Sequence, residues 1–278
     1  MAIITLTTDF GEKDHFAGAV KGAIYCELPE VRIVDISHSI SPFNIMEAAY
    51  VIQNAYSSFP KGSIHIIGID SELNPENKHI ALALDEHYFI CANNGIMSMI
   101  CSEIQPSKIV EINIHDRIET SFPVLDVFVK AACHIARGGT LDVIGKPITE
   151  IKPITHIKPY VNEEKTQIIG SIIYVDNYGN VVTNVRRSFF EGIQKGRPFE
   201  LHARSFKSGV IYEKYSDFIN FSIPEEKRHD AGQALAVFNS SSYIEIALYK
   251  SNPAAVGSAS TLLGLNLMDT ITINFYKD

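Results

Sequence analysis

Two carboxylates, Asp9 and Asp14, flank a glycine in the stretch TTDFGEKDHFAGAVKG (residues 7–22), after an apolar run and before small and apolar residues at helical spacing. A phosphate-binding turn offers glycines and backbone amides, and a carboxylate there would repel the phosphate. The GxGxxG and GxxxxGK[ST] patterns are both absent, so this is not a phosphate turn. A carboxylate at the C-terminal end of a strand, facing the crevice where α/β proteins bind ligands, accepts two hydroxyl protons at once and suits a ribose diol. The same acids also suit capping of the following helix. Asp70 closes SIHIIGID (63–70) and is expected at the same sheet edge as Asp9; a turn-initiating aspartate reads the same way.

Three further constellations carry polar chemistry. ANNGIMS (92–98) reads as a turn closed by Gly95, with amides, Asn94 among them, able to read a heteroaromatic edge or simply to build the turn. VDNYGNVVTNV (175–185) sets Asp176, Tyr178 and Asn180 around one glycine, either as a plain hairpin turn or as a grip for an amino-acid group. FNSSSYIEIAL (238–248) gathers an asparagine and three serines, Ser240 among them, at a strand end, where polar residues are usually solvated.

Other chemistries are excluded. DFG at 9–11 lacks the catalytic loop and lysine-bearing strand that precede the kinase motif. The ten histidines show no HxxxH or HxH spacing and no CxxC accompanies them, so no metal site is expected. GxSxG is absent. The net charge of −8, with no Lys/Arg run, argues against nucleic acid. A cationic or neutral small molecule fits better. No uninterrupted apolar stretch is long enough to span a membrane, and the short apolar start lacks a basic flank. Cys26, Cys91, Cys101 and Cys133 lie mostly in apolar segments and read as reduced, buried thiols. The cytoplasm is the expected location.

The elements that must position these residues follow from periodicity. Residues 2–8, 31–37 and 63–70 read as strands; 14–28 and 44–59 read as helices, the latter capped by Asn44 and ended by Pro60. Residues 79–92 form a hairpin pair, and 126–138 a helix stopping at Gly138 and Gly139, with His134 packed on the sheet. Strands alternating with helices imply a mostly parallel, covered sheet. From 151 the composition changes. Residues 151–167 read as a linker, and short β-rich runs follow to the end. The expected organisation is an α/β nucleoside-binding domain over 1–150 and a smaller all-β, barrel-like domain over 168–278.

Six blocks occur in order over nearly the full chain: TTDFG..D...G..KG, P.VRIVDISHSISPFNI..AAY, FPKGSIHI.GID, NNGI.S, VDNYGNVVTN and FNSSS. Together they resemble the S-adenosylmethionine hydroxide adenosyltransferase family, relatives of the fluorinating and chlorinating adenosyltransferases. The resemblance implies the same two domains and a homotrimer, with substrate between one subunit's N-domain and a neighbour's C-domain. S-adenosyl-L-methionine is then substrate, with no cofactor, and water or hydroxide attacks C5′ to give adenosine and L-methionine. By position, Asp9 matches the ribose-binding carboxylate, Asp14 a nearby acid and Phe43 an aromatic against the sugar or sulfonium. Asp176, Tyr178 and Asn180 match the turn holding adenine and the methionine amino group, and Ser240 a serine near the methionine head group.

For a hydrolytic member the resemblance implies an Asp–Arg–His set. Asp70 matches the aspartate, but Asn77 stands where Arg is expected and Pro123 where His is expected. Lys78, with His79 beside it, is the candidate replacement cation; a lysine in such a loop is otherwise solvated. A carboxylate at Asp70 repels a halide nucleophile and accepts a proton from water, which disfavours halide transfer. Two readings follow: a hydrolase, or a non-catalytic binder of S-adenosylmethionine or adenosine that has lost the Arg and His.

Overall fold

The computed structural model describes residues 2–101, 104–114, 120–154 and 158–276. The chain divides into two compact units, Met1–Thr155 and His156–Asp278.

In the first unit the order is β1 (Ile3–Thr8), α1 (Phe16–Glu27), β2 (Arg32–Ser37), α2 (Ile45–Ala55), β3 (Ile64–Gly68), β4 (His79–Leu84), β5 (His87–Ala92), α3 (Ile96–Ile100), β6 (Lys108–Ile112), α4 (Val129–Ala136), α5 (Leu141–Ile144) and β7 (Gly145–Pro147). The seven strands lie in the order β2-β1-β3-β5-β4-β6-β7. Strands β2, β1, β3 and β5 are mutually parallel, and the remainder add antiparallel.

Side chains alternate across the strands, and each face is covered. Ile4, Leu6, Ile64 and Ile66 pack with Val20 and Ile24 of α1 and with Phe128, Ala132 and Ile135 of the α4 region. Ile67, Ile69, Ile80, Leu82 and Phe89 pack with Ala48 and Ile52 of α2 and Met97 of α3. Asn44 caps α2, its Oδ1 accepting from Glu47 N at 3.1 Å. A π-helical turn, Val124–Phe128, leads into α4. His134 is half-buried and bonds Thr140 O through Nε2 at 3.1 Å, tying the helix end to its following loop.

The second unit comprises β8 (Tyr160–Val161), β9 (Gln167–Val175), β10 (Val181–Arg186), α6 (Arg187–Gln194), β11 (Phe199–Ala203), β12 (Phe206–Ser208), β13 (Ala234–Phe238), β14 (Tyr243–Leu248), α7 (Ala259–Leu262) and β15 (Thr270–Phe275). Its sheet runs β12-β11-β15-β9-β10-β14-β13, all antiparallel, with β8 on β9. Just after edge strand β12, Tyr212 pairs with Val237 of the opposite edge strand β13, so the sheet curls into a nearly closed barrel. Ile168, Ile172, Leu201, Ile244, Ile246 and Ile273 fill it.

Cys91, Cys101 and Cys133 are buried thiols, and Cys26 is exposed. Burial pushes the Cys101 and Cys133 thiols up to about 11, which makes them poor nucleophiles. Among the described residues no helix is long and apolar enough to cross a membrane.

Candidate active site

Three parallel strands end together. Thr8 of β1 pairs with Gly68 of β3, and Thr7 with Ser37 of β2. Asp9, Asp70 and the loop carrying Phe43 therefore leave the sheet at one edge. The connections from β1 and from β2 place β2 and β3 on opposite sides of β1, and open α/β sheets bind ligands at such a switch point. A cleft of about 600 Å³ lies here, walled by Asp9, Phe10, Phe16, Phe43, Asp70 and Glu72, with residues 120–123 closing one side. That volume suits a nucleoside-sized ligand, small-molecule pockets being about 300–1,000 Å³.

Asp9 reaches across the edge: its Oδ2 accepts from Phe43 N at 2.9 Å. Burial raises the Asp9 carboxyl, the N–H groups of Phe43 and of Asp9 itself pull it back down, and the charge of Asp70 adds a further upward push. Phe43 has φ +61, a left-handed conformation costing an aromatic residue about 1–3 kcal/mol. The Asp9 bond and the Asn44 cap beside it hold this turn. Phe43 is 73% exposed on the cleft rim. Phe10, Phe16 and Phe122 form an aromatic wall, with centroid separations of 5.4–5.7 Å. Carboxylates interleaved with ring faces make the cleft attractive to an organic cation.

The helix-cap reading of Asp9 and Asp14 does not hold. Helix α1 begins with His15 at its N-cap, without a side-chain cap bond and without an acid in its first turn. Asp14 is exposed and lies outside the cleft lining.

Asp70 also adopts a left-handed backbone, φ +42. The Asn94 amide donates to the carbonyls of Ile69 at 3.0 Å and Asp70 at 3.4 Å, and its Oδ1 accepts from Ile96 N. Buried in this way, Asn94 sets the end of β3 instead of presenting its amide to a ligand. Asn77 Nδ2 donates to Asp70 Oδ2 at 3.4 Å. Lys78 is exposed at the start of β4 and outside the lining, its carbonyl accepting from Asn93 N. His79 is buried, with Nε2 on Ser71 O at 2.9 Å and its ring against Phe128. It braces the cleft loop. Pro123 lines the cleft and opens the π-helical turn.

The other expected ligand residues belong to the second unit. Asp176 organises the β9–β10 turn: Oδ1 accepts from Tyr178 N and Asn180 N, both at 2.8 Å, and Oδ2 from Asn180 Nδ2 at 3.0 Å. Gly179 has φ +70, and a Cβ there would meet Ser258 at 2.3 Å, so the tight turn requires glycine. It presents Tyr178 66% exposed. Ser240 is exposed in the β13–β14 turn, which the Asn239 side chain shapes by accepting from Ser241 N and Tyr243 N.

Several site residues escaped the sequence reading. Phe10 and Phe16 sit in the same stretch as Asp9, and aromatic spacing around the acids was the signal. Phe122 and Glu72 had none. Outside the cleft, in the second unit, Glu245 is a lone charge inside the apolar run YIEIAL. It is buried, accepts from Tyr215 Oη and Asn239 Nδ2, and has its carboxyl raised, first by burial.

The family models for the SAM hydroxide adenosyltransferase N-terminal and C-terminal domains match residues 4–145 and 170–272. The chain is 30% identical to an (R)-S-adenosyl-L-methionine hydrolase from Methanocaldococcus jannaschii, covering 98% of this chain and 95% of that protein. It is 23% identical to a fluorinase from Nocardia brasiliensis, covering 88% of this chain and 89% of the other. A crystal structure of an uncharacterized conserved protein from Thermotoga maritima superposes with a TM-score of 0.81 at 24% identity, covering 99% of this chain and 100% of that one.

Proposed function

Since the chain belongs to the SAM hydroxide adenosyltransferase family, we propose that it hydrolyses S-adenosyl-L-methionine to adenosine and L-methionine. One observation carries this reading: Asp9 and Asp70 emerge at the ends of adjacent parallel strands onto one cleft walled by acids and aromatic rings. Asp9 takes the ribose diol. The rings and acids take the sulfonium. Asp70 orients the attacking water.

The chemistry asks little of the protein beyond alignment. The water oxygen bonds to C5′, the C5′–S pair returns to sulfur as the thioether of methionine, and the water proton passes to Asp70 and then to solvent. The sulfonium is neutralised as it leaves, so holding water in line and excluding bulk solvent supply much of the rate. Acid–base assistance from an Arg and His would add about 10²–10⁴-fold. The Asp70 carboxylate repels a halide, which favours water over fluoride or chloride.

The reading extends to a homotrimer with the site completed at a subunit interface, where the exposed Phe43 and Tyr178 would be covered. Asn77 and Pro123, in place of the expected Arg and His, favour one other reading: a binder of S-adenosylmethionine or adenosine without turnover. Reaction in ¹⁸O-water separates the two. Hydrolysis at C5′ places the label in the adenosine 5′-hydroxyl; bound but unconverted S-adenosylmethionine supports the binder.

A further inference from the structure

We propose that Lys152 is a positioning residue for this hydrolysis, its ammonium acting through the Asn77 amide to hold the Asp70 carboxylate toward the cleft. The role rests on the hydrolase reading above. Lys152 Nζ donates to Asn77 Oδ1 at 3.0 Å, and Asn77 Nδ2 donates to Asp70 Oδ2 at 3.4 Å. An amide between an ammonium and a carboxylate has one orientation that satisfies both: carbonyl to the cation, NH₂ to the anion. Each bond polarises the other, so the cation strengthens the grip on Asp70 without touching it. A fixed positive charge here also offsets repulsion among Asp9, Asp70 and Glu72 around one cleft.

Both ends of the relay are anchored independently. Asn74 Oδ1 accepts from Glu76 N and Asn77 N, both at 2.9 Å, and this turn presents Asn77. Lys152 N donates to Asn93 Oδ1 at 2.8 Å, and Ile154 N donates to Ser98 Oγ at 3.1 Å. Gly95, at φ +103, lies where a Cβ would come within 3.0 Å of Ile154, so glycine lets this segment dock. Asn93 thus sets the backbone of Lys152, while Asn94 sets that of Asp70. The NNG triplet fixes cation and carboxylate in one frame.

The test compares Lys152→Met, Lys152→Arg, Asn77→Ala and the Asn77→Ala/Lys152→Met double variant in the full chain. Adenosine release from S-adenosylmethionine is followed with Tm measured alongside. Lys152→Met should lower kcat about tenfold through misplacement of Asp70, leave KM within about twofold, and leave Tm unchanged. Lys152→Arg should restore most of the rate. In the Asn77→Ala background Lys152→Met should add nothing, because both act through one contact. Wild-type kcat in Lys152→Met overturns the inference alone, as does a full Lys152→Met effect in the Asn77→Ala background. A wild-type protein that binds substrate but releases no adenosine overturns the hydrolase reading, and this role with it.

Discussion

Replacing Asp9 separates two jobs carried by one carboxylate. Its Oδ2 latches Phe43 N at 2.9 Å, and its charge is assigned to the ribose hydroxyls. Asp9→Asn keeps an acceptor for Phe43 and removes the charge; Asp9→Ala removes both. Hydrogen bonds to a charged group are worth about 1.5–3 kcal/mol, or about 10- to 150-fold in Kd at 1.4 kcal/mol per decade. Asp9→Asn should therefore weaken adenosine binding within that range. Asp9→Ala should weaken it at least about tenfold more, because the left-handed Phe43 loses the bond that offsets its strain. Stability should move the other way for the amide. Burial and the charge of Asp70 raise the Asp9 carboxyl, so the fold holds this proton more tightly than the unfolded chain. Wild-type stability contributed by Asp9 then rises as pH falls through the window just above the ordinary carboxylate value. At neutral pH, Asp9→Asn should keep or raise Tm. Calorimetric titration with adenosine, together with thermal melts, measures both. Wild-type affinity in Asp9→Asn, or equal losses in the two variants, would refute the reasoning.

Two further predictions concern how the first unit is held together. Asn44→Ala removes the α2 cap next to Phe43 and should cost about 1 kcal/mol of stability by denaturant titration; an unchanged midpoint would contradict the capping role. The buried His65 bonds Thr5 Oγ1 at 2.7 Å and His87 Nδ1 at 3.1 Å, and burial, then the charge of His87, pushes it down to about 3. Its neutral form is thus favoured in the fold, and stability from it is present above about 6.5 and lost as pH falls toward 3. His65→Asn, which has no proton to gain, should show a shallower loss over that interval; identical slopes would discount it.

Much of this was legible in the sequence because strand ends, caps and apolar alternation are local signals. Asp9 and Asp70 could be placed at one edge from their strands alone, and the register Thr8 to Gly68 puts them there. Strand β6 and helix α6 were not read: KIVEI alternates over only five residues, and the apolar face of RSFFEGIQ is a few residues between strands. The relay to Lys152 was hidden for another reason. Lys152 and Asn77 are 75 residues apart and meet only because Asn93 and Ser98 dock a segment whose prolines and charges read as the start of a linker. Of that stretch, residues 155–157 lie outside the described structure, and 160–161 form β8 on β9. Asn94 showed the reverse problem: its type and turn context suited a ligand, but which partner its amide takes depends on where the end of β3 lies.

Steady-state release of adenosine and L-methionine from S-adenosylmethionine, by wild-type protein and by Asp70→Asn, tests the central claim most directly. The expected result is turnover above the uncatalysed background in the wild type. It should fall at least about 100-fold in Asp70→Asn, as for a lost proton acceptor, while adenosine binding persists. Tight binding by the wild type with no release of either product would contradict the hydrolase and leave a binding protein in its place.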